Sequence, residues 1–183
     1  MKDTKIFLLA GKARSGKDQT ANFIKNIYEE KGKMVVMLGF GDYIKWYAQK
    51  ITNWNGEDQT KPRELLQILG TDIVRNQINK DFFINRICED IRVYKYFFDI
   101  IIITGARFPN ELDIPKKLFK NVTIIKMDRP DFENELTPKQ REHITENALD
   151  HYSNYDYLLE NNGDLEELKN KVQQLVEEVE HEH

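Results

Sequence analysis

The stretch GKARSGKD at residues 11–18 decides how the rest of the chain is interpreted. It matches the phosphate-binding pattern G-x-x-x-x-G-K, with Asp18 at the position where that pattern has Ser or Thr. The apolar run IFLLA at residues 6–10 precedes it, and such a run is typical of a strand buried on both faces. After it, apolar residues recur at helical spacing as far as Gly32, which predicts a helix that ends there.

A strand, a glycine-rich turn and a helix in this order predict a site for phosphate groups. The glycines allow a tight turn in which successive backbone N–H groups point into one concavity, and the helix adds the positive end of its dipole. Lys17 would place a further positive charge on the outer phosphates. We therefore expect this loop to bind a nucleoside triphosphate together with Mg²⁺.

The composition limits the class of protein. A chain of 183 residues is most simply one domain, 1–183, and its net charge of -4 argues against a nucleic-acid partner. The longest apolar run, around residues 100–103, is too short to span a bilayer, and the polar start at residues 2–5 is unlike a signal peptide. The single cysteine, Cys88, lies on an apolar helical face, which indicates a buried thiol in a reducing compartment. We expect a cytoplasmic protein, or one of the host cytoplasm if the source is viral.

Further along the chain, apolar runs and helical periodicities alternate. Strands are predicted at residues 34–38, 100–104, 122–127 and 155–159, the first of them fully buried. Helices are predicted at about 43–51, 62–73, 81–91, 109–119 and 165–179. We expect Pro115 to interrupt one helix, Asp81 to cap another, and Leu165 to begin the buried face of the last. This alternation indicates a mostly parallel sheet covered on both faces.

The ends of the predicted strands separate candidate site residues from structural ones. In open parallel sheets, ligands bind outside the carboxyl ends of the strands. Asp42, Arg107, Asp128 and Arg129 follow such ends and can face a ligand, whereas Asp99 begins a strand and is predicted to be structural. The polar segment 128–147 suits a mobile cover better than a core.

Five segments, in order along nearly the whole chain, resemble one family. They are residues 11–20, 65–75 (LLQILGTDIVR), 104–111 (TGARFPNE), 143–146 (HITE) and 161–168 (NNGDLEEL). They are similar to the deoxynucleoside monophosphate kinases of bacteriophages, within the nucleoside monophosphate kinase group of P-loop proteins. The resemblance implies an α/β three-layer P-loop kinase fold with about five mostly parallel strands, helices on both faces, an acceptor-binding region at about 40–90 and a small lid at about 128–147. It also implies transfer of the γ-phosphoryl group of ATP to a deoxynucleoside monophosphate, with Mg²⁺.

The resemblance assigns roles to particular residues, several of which the loop pattern also supports. Contacts to the phosphates and adenine of ATP are expected from Gly11, Lys12, Ala13, Arg14, Ser15, Gly16, Lys17, Asp18, Gln19, Asn161 and Gly163. Catalytic roles are expected for Lys17, Arg14, Arg107, Arg129 and Arg141. Acceptor binding is expected from Asp42, Lys45, Gln67, Arg75, Arg107 and His143, and metal binding from Asp18. Arginines suit such a site because their planar fork binds phosphate in a bidentate manner.

Several of these residues have an ordinary structural alternative. The arginines and His143 could be solvated surface groups, and Asp42 could cap the helix that it begins. The sequence Asn-Asn-Gly at 161–163 is also a good turn before a helix. Two positions depart from the residues expected in the phosphate-binding pattern and in the family. Asp18 replaces the usual hydroxyl, although a carboxylate is a legitimate Mg²⁺ ligand, and Gly105 stands where many relatives carry Asp.

Other functions stay open at this point. A related small-molecule kinase, of the dephospho-coenzyme A or phosphomevalonate type, is one alternative. A non-catalytic regulatory protein that binds nucleotide is another, motivated by Gly105. In every case the expected partners are small molecules, not nucleic acid or a membrane. The accepted base and the oligomeric state, including a homodimer, are not set by the sequence.

Overall fold

Five parallel strands form the centre of the computed structural model, which describes residues 3–130 and 136–181. They are β1 Lys5–Ala10, β2 Val35–Gly39, β3 Ile100–Ala106, β4 Val122–Asp128 and β5 Tyr157–Glu160. Their order across the sheet is β2-β3-β1-β4-β5, and each neighbouring pair is parallel. All the carboxyl ends therefore meet at one edge of the sheet, with the end of β1 in the middle of that edge. The predicted α/β fold class is confirmed.

Helices cover both faces of the sheet. They are α1 Lys17–Glu30, α2 Asp42–Ile51, α3 Arg63–Gln67, α4 Phe82–Tyr94, α5 Pro109–Leu118, α6 Pro138–Glu142, α7 Ile144–Asn147 and α8 Leu165–His181. A short 3₁₀ turn lies at Asp58–Thr60, and a π-helix at Ile68–Ile78 continues directly from α3. The helix predicted over 62–73 is thus α-helical only in its first part.

Alternate residues of the central strands are buried in two separate cores. Phe7 and Leu9 of β1 pack with α1 and α8, whereas Ile6 and Leu8 pack on the opposite face with α4 and α5. Four consecutive isoleucines of β3, residues 100–103, are at most 2% exposed. Burying one such side chain contributes roughly 1.5–3 kcal/mol, so this strand stabilises both faces at once.

The structure corrects three expectations about single elements. β2 is an edge strand, and its first four residues are only half-buried because no strand covers its outer side. Pro115 lies inside α5 without interrupting it. Leu165 is 59% exposed, so the buried face of α8 begins at Leu168. Asp81 is the N-cap residue of α4, as predicted, although its side chain makes no hydrogen bond to that helix.

Two other structural expectations are confirmed. The Asp99 carboxylate accepts the N–H of Met34 at 2.9 Å, at the edge of the sheet opposite the phosphate loop. The Cys88 thiol is buried on α4, where burial raises its pKa. In the two described stretches of chain, we find no helix with the length and apolar character needed to cross a bilayer.

Candidate active site

The segment 11–16, which we call the phosphate loop, connects β1 to α1 at the centre of the carboxyl edge. Gly11 has φ +145° and Gly16 has φ +100°, conformations that L side chains rarely adopt. A Cβ on Gly11 would clash with the Met127 carbonyl, and one on Gly16 would lie 2.5 Å from the Asn161 amide nitrogen. The two glycines of the pattern are therefore required by the backbone and by the space around it.

Lys17 is a buried cation at the base of this loop. Its side-chain Nζ donates to the carbonyls of Gly11 at 2.8 Å and Lys12 at 2.5 Å. Burial, followed by the nearby charge of Arg107, lowers the pKa of Lys17 to about 7, although Asp18 and Glu146 oppose the shift. Because the ammonium is held by the loop's own carbonyls, it lies within reach of a phosphate placed in the loop.

Arg107 meets the same loop from β3. Its Nη1 lies 3.4 Å from the Gly11 carbonyl oxygen and 2.9 Å from a carboxylate oxygen of Glu146. The backbone N–H groups of Arg107 and Phe108 both donate to Oε2 of Glu111, at 2.6 and 3.1 Å. The structure thus brings Lys17 and Arg107 together on one carbonyl, as the strand-end rule predicts.

Glu111 is a positioning residue that sequence reasoning missed. It is 7% exposed, and burial raises the pKa of its carboxyl although two backbone N–H groups donate to it. Its bonds fix the turn that carries Arg107. A signal was present in the sequence, because a Pro at the start of a helix followed two residues later by Glu indicates a capped helix beginning.

Gly105 lies in a break of the β1–β3 register with φ +83°. A Cβ at this position would meet nothing nearer than the Phe40 nitrogen at 4.0 Å. The backbone conformation accounts for glycine here, and the space around it would also admit Asp, which is one of the residues that tolerate positive φ.

Arg75 lies in the π-helix and contacts Phe108, the residue that follows Arg107. Its guanidinium is stacked 3.5 Å from the centroid of the Phe108 ring, and it donates to Asn110 at 2.7 Å and to the Lys80 carbonyl at 2.8 Å. Asn110 in turn donates to the Asp81 carboxylate. Arg75 is therefore held in a fixed position beside the turn that carries Arg107, and its acceptor role stays a prediction.

The loop after β5 contacts the phosphate loop directly. The Asn161 side chain donates to the Ser15 carbonyl at 3.1 Å, and its backbone N–H donates to the Asp128 carbonyl. Gly163 lies two residues further on, against the Glu167 carboxylate. Of the two predicted ATP-binding residues that follow β5, Asn161 is therefore the one that bonds to the phosphate loop.

The remaining predicted residues are less central. Arg14 has φ +60° and is exposed, while Gln19 is half-buried on α1. Arg129 follows β4, and Arg141 donates to the Leu136 carbonyl within the lid segment. The His143 ring pairs with Thr145 at the start of α7, so it caps this helix. Residues 131–135 of the predicted lid lie outside the described chain.

A cavity of about 480 Å³ lies between α2 and α4, inside the predicted acceptor region. Its polar groups include Asp42, Asp90 and Arg86, and its aromatic wall is formed by Tyr43, Trp46 and Tyr47. The Tyr43 hydroxyl donates to Asp90 at 2.7 Å, and burial together with this bond raises the pKa of Tyr43 to about 12. Sequence reasoning missed Trp46, Tyr47, Arg86 and Asp90, because their convergence depends on how two helices pack.

Two predicted acceptor residues lie on this side of the molecule. Asp42 is the first residue of α2, whose cap is Gly41, so the prediction that Asp42 is an N-cap is wrong. Its carboxylate pairs with Lys45 at 3.1 Å on the surface. Gln67 ends α3 and is half-buried.

Asp18 is the predicted metal ligand beside the phosphate loop. The described residues contain no cluster of three or more His, Cys, Asp or Glu side chains suited to a metal ion. Mg²⁺ usually keeps several waters and binds one or two carboxylates together with substrate phosphates. Asp18, which is exposed on the first turn of α1, is a carboxylate of this kind.

The parallel sheet has a phosphate loop after its middle strand and helices on both faces, and two cations contact that loop. These features define a P-loop kinase fold. Solved structures agree. Dephospho-CoA kinase from Campylobacter jejuni has a TM-score of 0.54 over 96% of this chain and 97% of its own, at 12% identity. An identity this low concerns the fold alone.

The chain belongs to the deoxynucleotide monophosphate kinase family, whose profile matches residues 27–172. It is 30% identical over 119 residues to the deoxynucleotide monophosphate kinase of Enterobacteria phage T4, covering 64% of this chain and 46% of the phage protein. It is also 30% identical over 120 residues to a protein of Acanthamoeba polyphaga mimivirus that carries the same family name, covering 61% and 58%. The matches thus extend over about half the length of these relatives. The family profile begins after the phosphate loop, so the loop is a separate observation.

Proposed function

We propose that this chain transfers the γ-phosphoryl group of ATP to a deoxynucleoside monophosphate and releases the diphosphate and ADP. The observation that carries the proposal is the convergence of Lys17 and Arg107 on the Gly11 carbonyl. Two cations at one end of a phosphate loop suit a transition state whose charge is spread over the oxygens of the transferring group. Family membership supports a deoxynucleotide as the acceptor.

The proposed chemistry needs no general base. The acceptor phosphate is largely dianionic near neutral pH, because its second pKa is about 6. One of its oxygens forms a bond to the γ-phosphorus, the bond from that phosphorus to the β–γ bridging oxygen breaks, and ADP leaves with the electron pair. Mg²⁺, when bound, neutralises charge on the β- and γ-oxygens, and Asp18 would hold it directly or through water.

The cavity between α2 and α4 is proposed to receive the nucleoside part of the acceptor. Its aromatic side chains can stack on a base, and its charged groups can hydrogen-bond to the base edge. Arg75, fixed against Phe108 between this side and the loop, is proposed to hold the acceptor phosphate. This assignment would place the acceptor in the region 40–90, which the lid segment 128–147 contacts through the ion pair of Lys139 with Glu64 at 2.6 Å.

The activity is tested by incubating the protein with ATP, Mg²⁺ and each of the four deoxynucleoside monophosphates in turn. ADP release above the ATP-only background is expected with at least one acceptor. Dephospho-coenzyme A and phosphomevalonate are included as competing acceptors. Turnover with one of them alone would point to the related kinases. ATP binding without transfer to any acceptor would favour a regulatory protein and would overturn the proposal.

The depressed pKa of Lys17 predicts that ATP binding takes up a proton. Above pH 7, Lys17 is largely neutral, because burial and Arg107 disfavour its charged form. Phosphate oxygens beside Lys17 favour the charged form, so its pKa rises on binding. At pH 8 we expect uptake of close to one proton per ATP, and at pH 8–9 the affinity should fall as pH rises.

Calorimetric titrations at pH 8, in two buffers with different ionisation enthalpies, measure this uptake. ATP is fully ionised at this pH, so its own phosphates contribute little. A binding heat that is the same in both buffers would show that Lys17 does not change its protonation.

A further inference from the structure

A carboxylate from the lid side lies on the phosphate loop. One Glu146 oxygen accepts the backbone N–H of Ala13 at 3.1 Å, and the other is 2.9 Å from the Arg107 guanidinium. The Glu146 side chain is only 10% exposed. A loop N–H and an arginine are also the two kinds of donor that a phosphate group uses in such a site. This single anion therefore satisfies both of them.

The local sequence fixes Glu146 in this place. The His143 ring accepts the N–H of Thr145 and caps α7, which puts Glu146 in the first turn of that short helix. Four residues later, Asp150 forms an ion pair with Lys12 of the phosphate loop at 3.0 Å. The segment 143–150 is thus attached to consecutive loop residues by two carboxylates.

We propose that the Glu146 carboxylate holds the place of a phosphate group and that a triphosphate must displace it to bind. This inference rests on the proposed nucleotide binding and describes how that site is regulated. The Glu146 carboxylate pairs with donors that a phosphate group would use, and its own charge repels a polyphosphate. Its use is to keep Arg107 and the loop N–H satisfied and aligned until the phosphate arrives. Departure of Glu146 then couples nucleotide binding to release of the segment 143–150.

The variant Glu146→Gln tests the competition. Glutamine keeps the shape and one oxygen for the Ala13 N–H, but it neither repels phosphate nor pairs with Arg107 as an ion. We expect the Kd for ATP, measured by calorimetry without an acceptor, to fall about tenfold. The same gain is expected with inorganic tripolyphosphate, because the competition concerns phosphate and not the base.

Glu142→Gln is the matched control. It removes the same charge from an exposed position at the end of α6, four residues before Glu146, and should leave both Kd values unchanged. If Glu146→Gln binds ATP no more tightly than the unchanged protein, the proposal is wrong. If the unchanged protein binds neither ATP nor tripolyphosphate, the proposed function fails instead, so the two failures are distinguishable.

Hydrogen exchange on the unchanged protein tests the same idea without a substitution. Added tripolyphosphate should slow exchange in peptides that contain residues 11–18 and speed it in peptides that contain residues 143–150. Slower exchange in both regions would mean that Glu146 stays in place on the bound phosphate, and this would overturn the displacement.

Discussion

Replacing Lys17 with alanine should raise the Kd for ATP at least about 100-fold. The side chain is 8% exposed and reaches the Gly11 and Lys12 carbonyls, so its charge lies inside the loop and is poorly screened by water. Without it, Arg107 would be the remaining cation on the Gly11 carbonyl, where it is already paired with Glu146. Binding is measured by calorimetry at pH 6.5, where Lys17 is mostly protonated.

Lys25→Ala is the control for this variant. Lys25 lies on the same helix in a surface ion pair with Glu29, with a side chain 39% exposed, and such pairs contribute little. Its Kd for ATP should match that of the unchanged protein. Equal affinity of Lys17→Ala and Lys25→Ala for ATP would show that the loop is not the triphosphate site.

The sheet could be predicted because its strands are apolar runs with few alternatives. β1 and β3 are buried on both faces and consist mostly of apolar residues, and β4 is apolar at four of its seven positions. β2 has the same apolar composition yet lies at the edge, since strand order depends on which helices cross the sheet and not on the strand itself. The π-helix at Ile68–Ile78 could not be predicted from the sequence either, because its apolar residues have a spacing similar to that of an α-helix.

The cationic part of the candidate site could be predicted, and the acidic part could not. Lys17 belongs to a known pattern, and Arg107 follows a strand, so local sequence and topology place both. Glu111 and Glu146 are acids beside a site meant for anions. A capping pattern indicated that Glu111 bonds to the backbone before its helix, but not that this turn carries Arg107. The role of Glu146 follows from its contact with Arg107, which is distant in sequence.

Arg107→Ala should lower kcat for phosphoryl transfer about 1,000-fold, the lower end of the range for an arginine that stabilises the transferring group. The effect on ATP binding should be smaller, because Lys17 and the loop N–H groups still hold the triphosphate. The contact of Arg107 should become stronger only as the transition state forms. The guanidinium touches the loop at 3.4 Å through a geometry that can tighten as charge shifts toward the bridging oxygen. Steady-state kinetics with the accepted deoxynucleotide give kcat and KM separately.

The variant Arg107→Lys tests whether the positive charge alone is enough or whether the planar guanidinium is needed. A lysine keeps the positive charge but has a point charge in place of the planar fork, so Arg107→Lys should recover little of the lost kcat. Arg92→Ala, an exposed substitution on α4, is the control for the loss of an arginine and should leave kcat unchanged. If the kcat of Arg107→Ala lies within threefold of the kcat of Arg92→Ala, Arg107 is not a catalytic residue. Of the two cations on the Gly11 carbonyl, Lys17 would then be the one that acts in the transfer. A site with one cation on the Gly11 carbonyl would bind a triphosphate but would lack the second charge that the proposed transition state requires.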